Sequence, residues 1–206
     1  MSNLTLYTNP QSRGLIAHWM LEELGEPYET VWLDYATSMQ APEYLAVNPM
    51  GKVPALKHGD ALVTETAAIC AYLADTFPAK NLIPPAGSPQ RATYYRWLFF
   101  AAGPVEQAVV TRSQKWSVTP EQEGFLGFGN YNKTISTLRS ALQPGPYICG
   151  EQFTAADVYV GSHISWGLLF GTIEKHPDFE AYAQRLYARP AYQRTQQLNE
   201  VRREQA

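Results

Sequence analysis

Apolar positions along the first 77 residues change period several times. Leu4 and Leu6 alternate with more polar neighbours, which predicts a short strand over Leu4–Tyr7. After a turn through Asn9-Pro10-Gln11-Ser12, the residues Ile16, Trp19, Met20 and Leu24 recur at helical spacing, and Gly25 with Pro27 supplies the stop. Glu29–Leu33 reads as a second strand and Glu43–Ala46 as one helical turn. Ala55–Lys57 and Ala61–Val63 read as two more strands, joined by His58-Gly59-Asp60. Ile69, Tyr72, Leu73 and Thr76 then line one side of a helix from Glu65 to Thr76. The order βαβ followed by ββα is that of a small α/β domain.

Beyond it the period is helical throughout. Phe77–Pro89 is dense in Pro, Gly and Ser and predicts a linker over residues 78–88, dividing the chain into domains 1–77 and 89–206. Helices are expected over Pro89–Ser113 with a kink at Gly103-Pro104, then Glu121–Leu142, Thr154–Leu169, Pro177–Ala188 and Ala191–Glu204. The second domain is therefore all-α. One helix start is explicit: Thr154 as N-cap, Asp157 at N3 to complete a capping box, and Phe153 with Val158 as a hydrophobic staple.

Composition narrows the class. The chain has 206 residues, 26 of them aromatic, a net charge of −3 and a mean hydropathy of −0.29, values of a folded domain rather than a disordered one. A sequence pI near 5.8 disfavours nucleic acid as a partner. No run approaches the ~20 apolar residues that span a bilayer, and the N-terminus lacks the basic and apolar regions of a secretory leader. Cys70 and Cys149 are far apart and form no C-x-x-C, so two reduced thiols in the cytoplasm are expected. Residues 1–80 carry 4 Lys/Arg against 9 Asp/Glu, whereas the remainder carries 12 against 10. An acidic first domain must draw any affinity for anions from a few local groups.

His18, His58, His163 and His176 have no metal-ligand spacing, so no metal site is expected. Gly124-Phe125-Leu126-Gly127-Phe128-Gly129 follows no strand and lacks a Lys, and reads as a helix break beside a pocket rather than a phosphate loop. Two other segments carry more. In Gly51-Lys52-Val53-Pro54-Ala55-Leu56 a Pro stands directly before a strand, out of place unless it shapes the strand's entry. A cis Val53-Pro54 bond would leave the Val53 N–H and C=O exposed for strand addition by an extended peptide. In Val63-Thr64-Glu65-Thr66 a helix begins, and its first N–H groups and dipole favour an anion. Thr66 adds a hydroxyl donor there and Glu65 an acceptor for an ammonium group. Thr64 as an ordinary N-cap is the plainer alternative.

Taken together, Gly51–Leu56 and Glu65-Thr66 resemble the glutathione-binding signature of cytosolic glutathione S-transferases. Asn9–Gly14 and Trp19–Gly25 are similar to bacterial members. The resemblance spans the chain and implies a thioredoxin-like first domain that binds glutathione and an all-helical second domain that supplies a co-substrate site. It implies that Val53 pairs with the cysteinyl part, held by Pro54, that Glu65 and Thr66 hold the γ-glutamyl end, and that Lys52 faces the glycyl carboxylate. It further implies a homodimer, a detoxifying role, and transfer of glutathione to small hydrophobic electrophiles or peroxides. A non-catalytic binding protein of this fold, or a glutathione-dependent disulfide reductase or isomerase, is the alternative.

The reaction needs the thiolate. Lowering a thiol pKa from about 8.5 to about 6.5 takes roughly 2.7 kcal/mol, the scale of one hydrogen bond to a charged group. Ser12, at the expected start of the first helix, is preferred as donor. Asn9 and Thr8, similar to the donors of an Asn/Thr-using bacterial class, come next, and Tyr7 last, with Arg13 as electrostatic support. Tyr94, Trp97, Phe100, Trp116, Phe125 and Phe128 are candidates to line the electrophile pocket, expected between the domains.

Overall fold

The computed structural model describes residues 3–205. Four strands, β1 (Leu4–Thr8), β2 (Tyr28–Trp32), β3 (Ala55–His58) and β4 (Ala61–Val63), form one sheet in the order β2-β1-β3-β4. β1 runs parallel to β2, as a βαβ unit requires, while β3 is antiparallel to both β1 and β4. Register follows side-chain alternation. Leu4 and Leu6, with Leu56 opposite Leu6, are buried on one face, and Tyr7 lies opposite Ala55 and Val31 on the other. The second face meets a core cluster of Leu33, Met39, Tyr44 and Ala55. Burying each such leucine contributes about 1.5–3 kcal/mol, so a one-residue slip of register would forfeit the whole set.

Helices α1 (Gly14–Leu24) and α3 (Thr66–Thr76) pack on each other and on the sheet, with the short α2 (Pro42–Leu45) between β2 and β3. α1 ends as its sequence demands: Gly25 adopts φ 67° and its N–H reaches the Leu21 carbonyl.

The compact units differ from the boundaries expected from sequence. One comprises the chain up to Lys80 together with everything from Ala188 onward, and the other runs from Asn81 to Tyr187. The last helix, counted above with the helical domain, lies in the first unit. The reason is chemical. That helix buries Ala191, Thr195 and Asn199 along one stripe, and Asn199 Nδ2 contacts His18 Nδ1 at 2.9 Å. Arg189 grips Glu23 of α1 with two bonds of 2.7 Å, and Arg194 Nε donates to Glu22 at 2.9 Å. Small and polar groups, not a leucine face, hold it there.

In the second unit, α4 (Pro89–Phe100) leads through a π-helical segment, Ala101–Val105, into α5 (Glu106–Ser113). Pro104 lies inside that segment, so the expected kink is a local change of helix type around a missing N–H. The expected helix over Glu121–Leu142 is interrupted. Only α6 (Pro120–Glu123) and α7 (Tyr131–Ser140) are α-helical, because the glycine-rich stretch 124–129 intervenes and Gly129 takes φ 63°. α8 (Ala155–Phe170) is buried along most of its length and packs on α9 (Pro177–Tyr187). A Cβ at Gly161 would stand 2.2 Å from Leu186 Cδ1, so any larger residue at that helix crossing would make the Leu186 side chain shift. The final helix is α10 (Pro190–Glu204), the one that belongs to the first unit.

Candidate functional site

The strand registers bring three loops to one end of the sheet. β1 ends at Thr8, beyond the pair Tyr7–Ala55, where β3 begins. β4 ends at Val63 opposite Leu56, and β2 ends at Trp32 opposite Thr8. The entry to β3, the turn into α1 and the start of α3 are therefore neighbours by topology alone.

The entry to β3 is held from behind. Tyr44 Oη and Asn48 Nδ2 both donate to the Lys52 carbonyl, at 2.6 and 2.7 Å, and Asn48 Oδ1 accepts the Met50 N–H at 3.1 Å. Burial pushes the Tyr44 phenol up to about 12, so it remains a donor at neutral pH. Gly51 sits at φ 58° against Gln40, where a Cβ would fall 2.5 Å from Gln40 Nε2 and 3.0 Å from the Met39 carbonyl oxygen, a place that favours glycine. Val53-Pro54 is cis, as the resemblance implies. Pro54 is buried, Val53 half-buried and Lys52 exposed. Neither the N–H nor the C=O of Val53 has a hydrogen-bond partner among the described residues.

The start of α3 differs from the Thr64-cap alternative. Glu65 occupies the cap position, exposed, at φ 62° and ψ 113°, and no side chain caps the helix. Thr66 follows as a buried residue. A non-glycine residue in this conformation costs on the order of 1–3 kcal/mol and marks functional turns. The open amides beside it suit an anion.

At the turn into α1, the structure separates the expected thiolate donors. Thr8 is wholly buried with its Oγ1 packed against Gly14, where a Cβ would approach to 1.9 Å. Asn9 is buried; its Nδ2 donates to the Leu33 carbonyl at 2.7 Å and its Oδ1 accepts the Gln11 N–H at 2.9 Å. Ser12 is half-buried, its Oγ donating to the Asn9 carbonyl at 2.8 Å and accepting the Gly14 N–H at 2.9 Å. Arg13 occupies the cap position and is exposed. Tyr7 is turned to the core face beside Tyr44, ring centroids 5.6 Å apart. Of these groups Arg13 is exposed, Ser12 and Tyr7 are half-buried, and Thr8 and Asn9 are buried.

Two arginines escaped sequence reasoning. Arg202 and Arg203, from the last turn of α10, line a cavity of about 310 Å³ with Asn9, Gln11, Asp34 and Tyr35. Arg202 lies 6.0 Å from the centre of the Trp32 ring. The only signal was a pair of adjacent arginines on a polar helix whose docking partner is far away in sequence.

Of the six aromatic residues expected at an apolar pocket, Tyr94 and Trp97 are core. Trp116, Phe125 and Phe128 line a cavity of about 580 Å³ within the second unit. Neither thiol is placed for chemistry: burial pushes Cys70 far up, and Cys149 up to about 11. Among the described residues no group of three or more His, Cys, Asp or Glu side chains is arranged to hold a metal, and no helix is long and apolar enough to cross a membrane.

Comparison with known proteins bears on the family and the fold. Residues 2–75 match the family model of the glutathione S-transferase N-terminal domain. The chain is 30% identical over 194 residues to glutathione S-transferase GstA of Escherichia coli O157:H7, covering 92% of this chain and 96% of that one. A glutathione transferase structure from Methylococcus capsulatus superposes with a TM-score of 0.80 at 28% identity, over 96% of this chain and 99% of the other. A sphingomonad glutathione S-transferase complexed with glutathione gives 0.77 at 28% identity, over 96% and 99%.

Proposed function

The chain belongs to the cytosolic glutathione S-transferase superfamily, and from that premise we propose that it binds glutathione and transfers it to small hydrophobic electrophiles. The observation that carries this reading is the unpartnered backbone of Val53 at the proline-led entry to β3. An extended cysteinyl residue can exchange two backbone hydrogen bonds with it, as an added strand does. The γ-glutamyl carboxylate then meets the uncapped amides and Thr66 at the start of α3, and Glu65 accepts from the ammonium group. Lys52 is the nearest cation to the strand entry in sequence and is assigned to the glycyl carboxylate.

Ser12 is the thiolate donor in this reading. Its hydroxyl has one hydrogen, spent in the structure on the Asn9 carbonyl. Rotation toward a bound sulfur trades a neutral acceptor for an anionic one, a gain because hydrogen bonds to charged groups are about twice as strong. The Gly14 N–H, already on Ser12 Oγ, polarises it further. Asn9 holds the turn in shape, Thr8 is too buried to touch a ligand, and Arg13 supplies positive potential. Product forms when the thiolate attacks an electrophilic carbon and the leaving group departs with the displaced electron pair.

A second reading, glutathione binding without turnover, draws support from the same Ser12–Asn9 bond, which leaves the hydroxyl committed at rest. One experiment separates them. Calorimetry with glutathione, followed by an aryl halide turnover assay on the chain and on Ser12→Ala, should give binding in both proteins and turnover in the first alone. Binding without turnover in either supports the second reading, and no binding at millimolar glutathione defeats both. A homodimer in the cytoplasm completes the proposal. An exposed pair on α4, Tyr95 and Phe99 with ring centroids 6.4 Å apart, is apolar surface suited to a partner copy, and light scattering tests it.

A further inference from the structure

The cavity of about 310 Å³ beside the turn into α1 is lined by nine residues, all in the first unit, and Lys52, Val53, Glu65 and Thr66 are not among them. Its walls are tied together. Asn9 Nδ2 donates to the Leu33 carbonyl at 2.7 Å and Tyr35 Oη to the Gln11 carbonyl at 3.3 Å, so the end of β2 is fastened to the turn. Trp32 stands edge-on to His18, ring centroids 5.8 Å apart, and His18 Nδ1 contacts Asn199 Nδ2 of α10 at 2.9 Å. The last turn of α10 is thereby carried against β2, with the Arg202 guanidinium 6.0 Å from the centre of the Trp32 ring. Donors outnumber acceptors around this space. The Arg202 guanidinium makes no hydrogen bond or ion pair among the described residues, and Arg203 spends only Nε, on the Asn199 carbonyl at 3.3 Å. A guanidinium carries five N–H donors and no acceptor, so most of what the two arginines offer is unspent. The Gln11 side chain and the second Asn9 Nδ2 hydrogen likewise have no partner among the described residues. Against them stands one carboxylate, Asp34, exposed and ion-paired with neither arginine.

We propose that this cavity binds a small aromatic carboxylate, its carboxylate held by Arg202 and Arg203 and its ring laid against Trp32. The volume is at the small end of the range for ligand sites and suits a single ring. The planar guanidinium fork matches a carboxylate with two parallel hydrogen bonds. A ligand cation is disfavoured, because two arginines face it against one aspartate. An anion without a ring gains only exposed, salt-screened ion pairs; the aromatic part is what makes the site selective. The site is separate from the one proposed for glutathione and does not depend on the transferase reading.

Benzoate, benzamide and benzamidine are the anion, neutral and cation of one shape, and acetate is the anion without the ring. Each is titrated into the full chain without glutathione, at neutral pH and physiological salt, by ligand-detected NMR and calorimetry. One benzoate should bind per chain, about ten-fold tighter than benzamide or acetate, with benzamidine weakest. Arg202→Gln, in the last turn of the last helix where it threatens no core, should weaken benzoate about ten-fold, and Arg203→Gln several-fold. Asp34→Asn should tighten benzoate up to about two-fold by removing a like charge. Lys57→Gln, an exposed cation of β3 outside the cavity, should change nothing. Equal affinity for the three isosteres, acetate binding as tightly as benzoate, or benzoate indifferent to both Arg202→Gln and Asp34→Asn overturns the proposal. Calorimetry with glutathione on Arg202→Gln should show unchanged affinity. Mutual displacement of benzoate and glutathione, with both weakened by that substitution, makes the cavity part of the glutathione site and also overturns it. A chain that binds benzoate in this way but fails to bind glutathione counts against the transferase reading alone.

Discussion

Two helices begin in opposite ways, and the contrast separates structure from function. At the start of α8 one carboxylate answers four donors. Asp157 accepts from Thr154 N at 2.8 Å, Thr154 Oγ1 at 3.0 Å, Ile148 N at 2.7 Å and Tyr182 Oη at 2.8 Å, and the Ala155 N–H reaches the Leu82 carbonyl at 2.8 Å. At the start of α3 no side chain caps the helix, and Glu65 holds a left-handed conformation at φ 62°. A finished helix end is a folding device; an open and strained one near an unpaired strand edge is, in the proposed function, where glutathione's γ-glutamyl end is held. Stability should therefore depend on the first, and glutathione affinity on the second.

The largest expected effect breaks the finished end. Asp157→Ala strands four buried donors, each worth about 1–3 kcal/mol when left unsatisfied, and should destabilise the chain by roughly 4 kcal/mol. For a chain of this length that lowers the melting temperature by about 8–16 °C, read from a thermal scan. Glutathione affinity of the folded fraction should stay within about two-fold. A variant that melts like the parent would mean the capping network is ornamental.

Next in size is the pH dependence of the same carboxyl. Burial raises Asp157 from 3.8 to about 6, against the pull of its four donors. The folded chain thus holds this proton more tightly than the unfolded one. Its contribution is complete below about pH 4, falls as pH rises to about 6, and is flat above; the span is about 3 kcal/mol. The difference between urea midpoints of the chain and of Asp157→Asn, followed from pH 3.5 to 7, isolates it, since other carboxyls titrate in both.

Smaller again is Tyr44→Phe, which removes one of two donors on the Lys52 carbonyl and leaves Asn48 in place. Stability should fall by about 1 kcal/mol, measured in urea. Glutathione affinity should fall a few-fold in calorimetry, because the strand entry at Val53 loses one of its two anchors.

How legible these features were depended on sequence separation. The capping box and the Pro before β3 are patterns within five residues, and both elements stand where the spacing predicts. The start of a helix at Glu65-Thr66 was legible, but its backbone strain was not, since nothing in Thr64-Glu65-Thr66 announces a positive φ. α10 was misassigned because its docking stripe, Ala191, Thr195 and Asn199, is not apolar, and its partners on α1 lie more than 160 residues earlier, as the Arg189–Glu23 bond shows. Ser12 and Asn9 were both sound candidates by position. Only the three-dimensional turn reveals that Asn9 Nδ2 donates one of its two hydrogens to the Leu33 carbonyl, 24 residues away.

The smallest effect on stability tests the contrast most sharply, because stability and affinity should move in opposite directions. Glu65→Gly removes a side chain from a position whose φ of 62° suits glycine. Relief of strain offsets the extra freedom glycine gives the unfolded chain, so stability should rise by up to about 1 kcal/mol. The same substitution deletes the acceptor for the γ-glutamyl ammonium group, and glutathione affinity should fall about ten-fold or more, the scale of one charged hydrogen bond. Urea denaturation and calorimetry on the same preparation read both. A chain that becomes both less stable and no weaker in glutathione binding would make Glu65 an ordinary structural residue, and would remove the reason for reading the start of α3 as a ligand site.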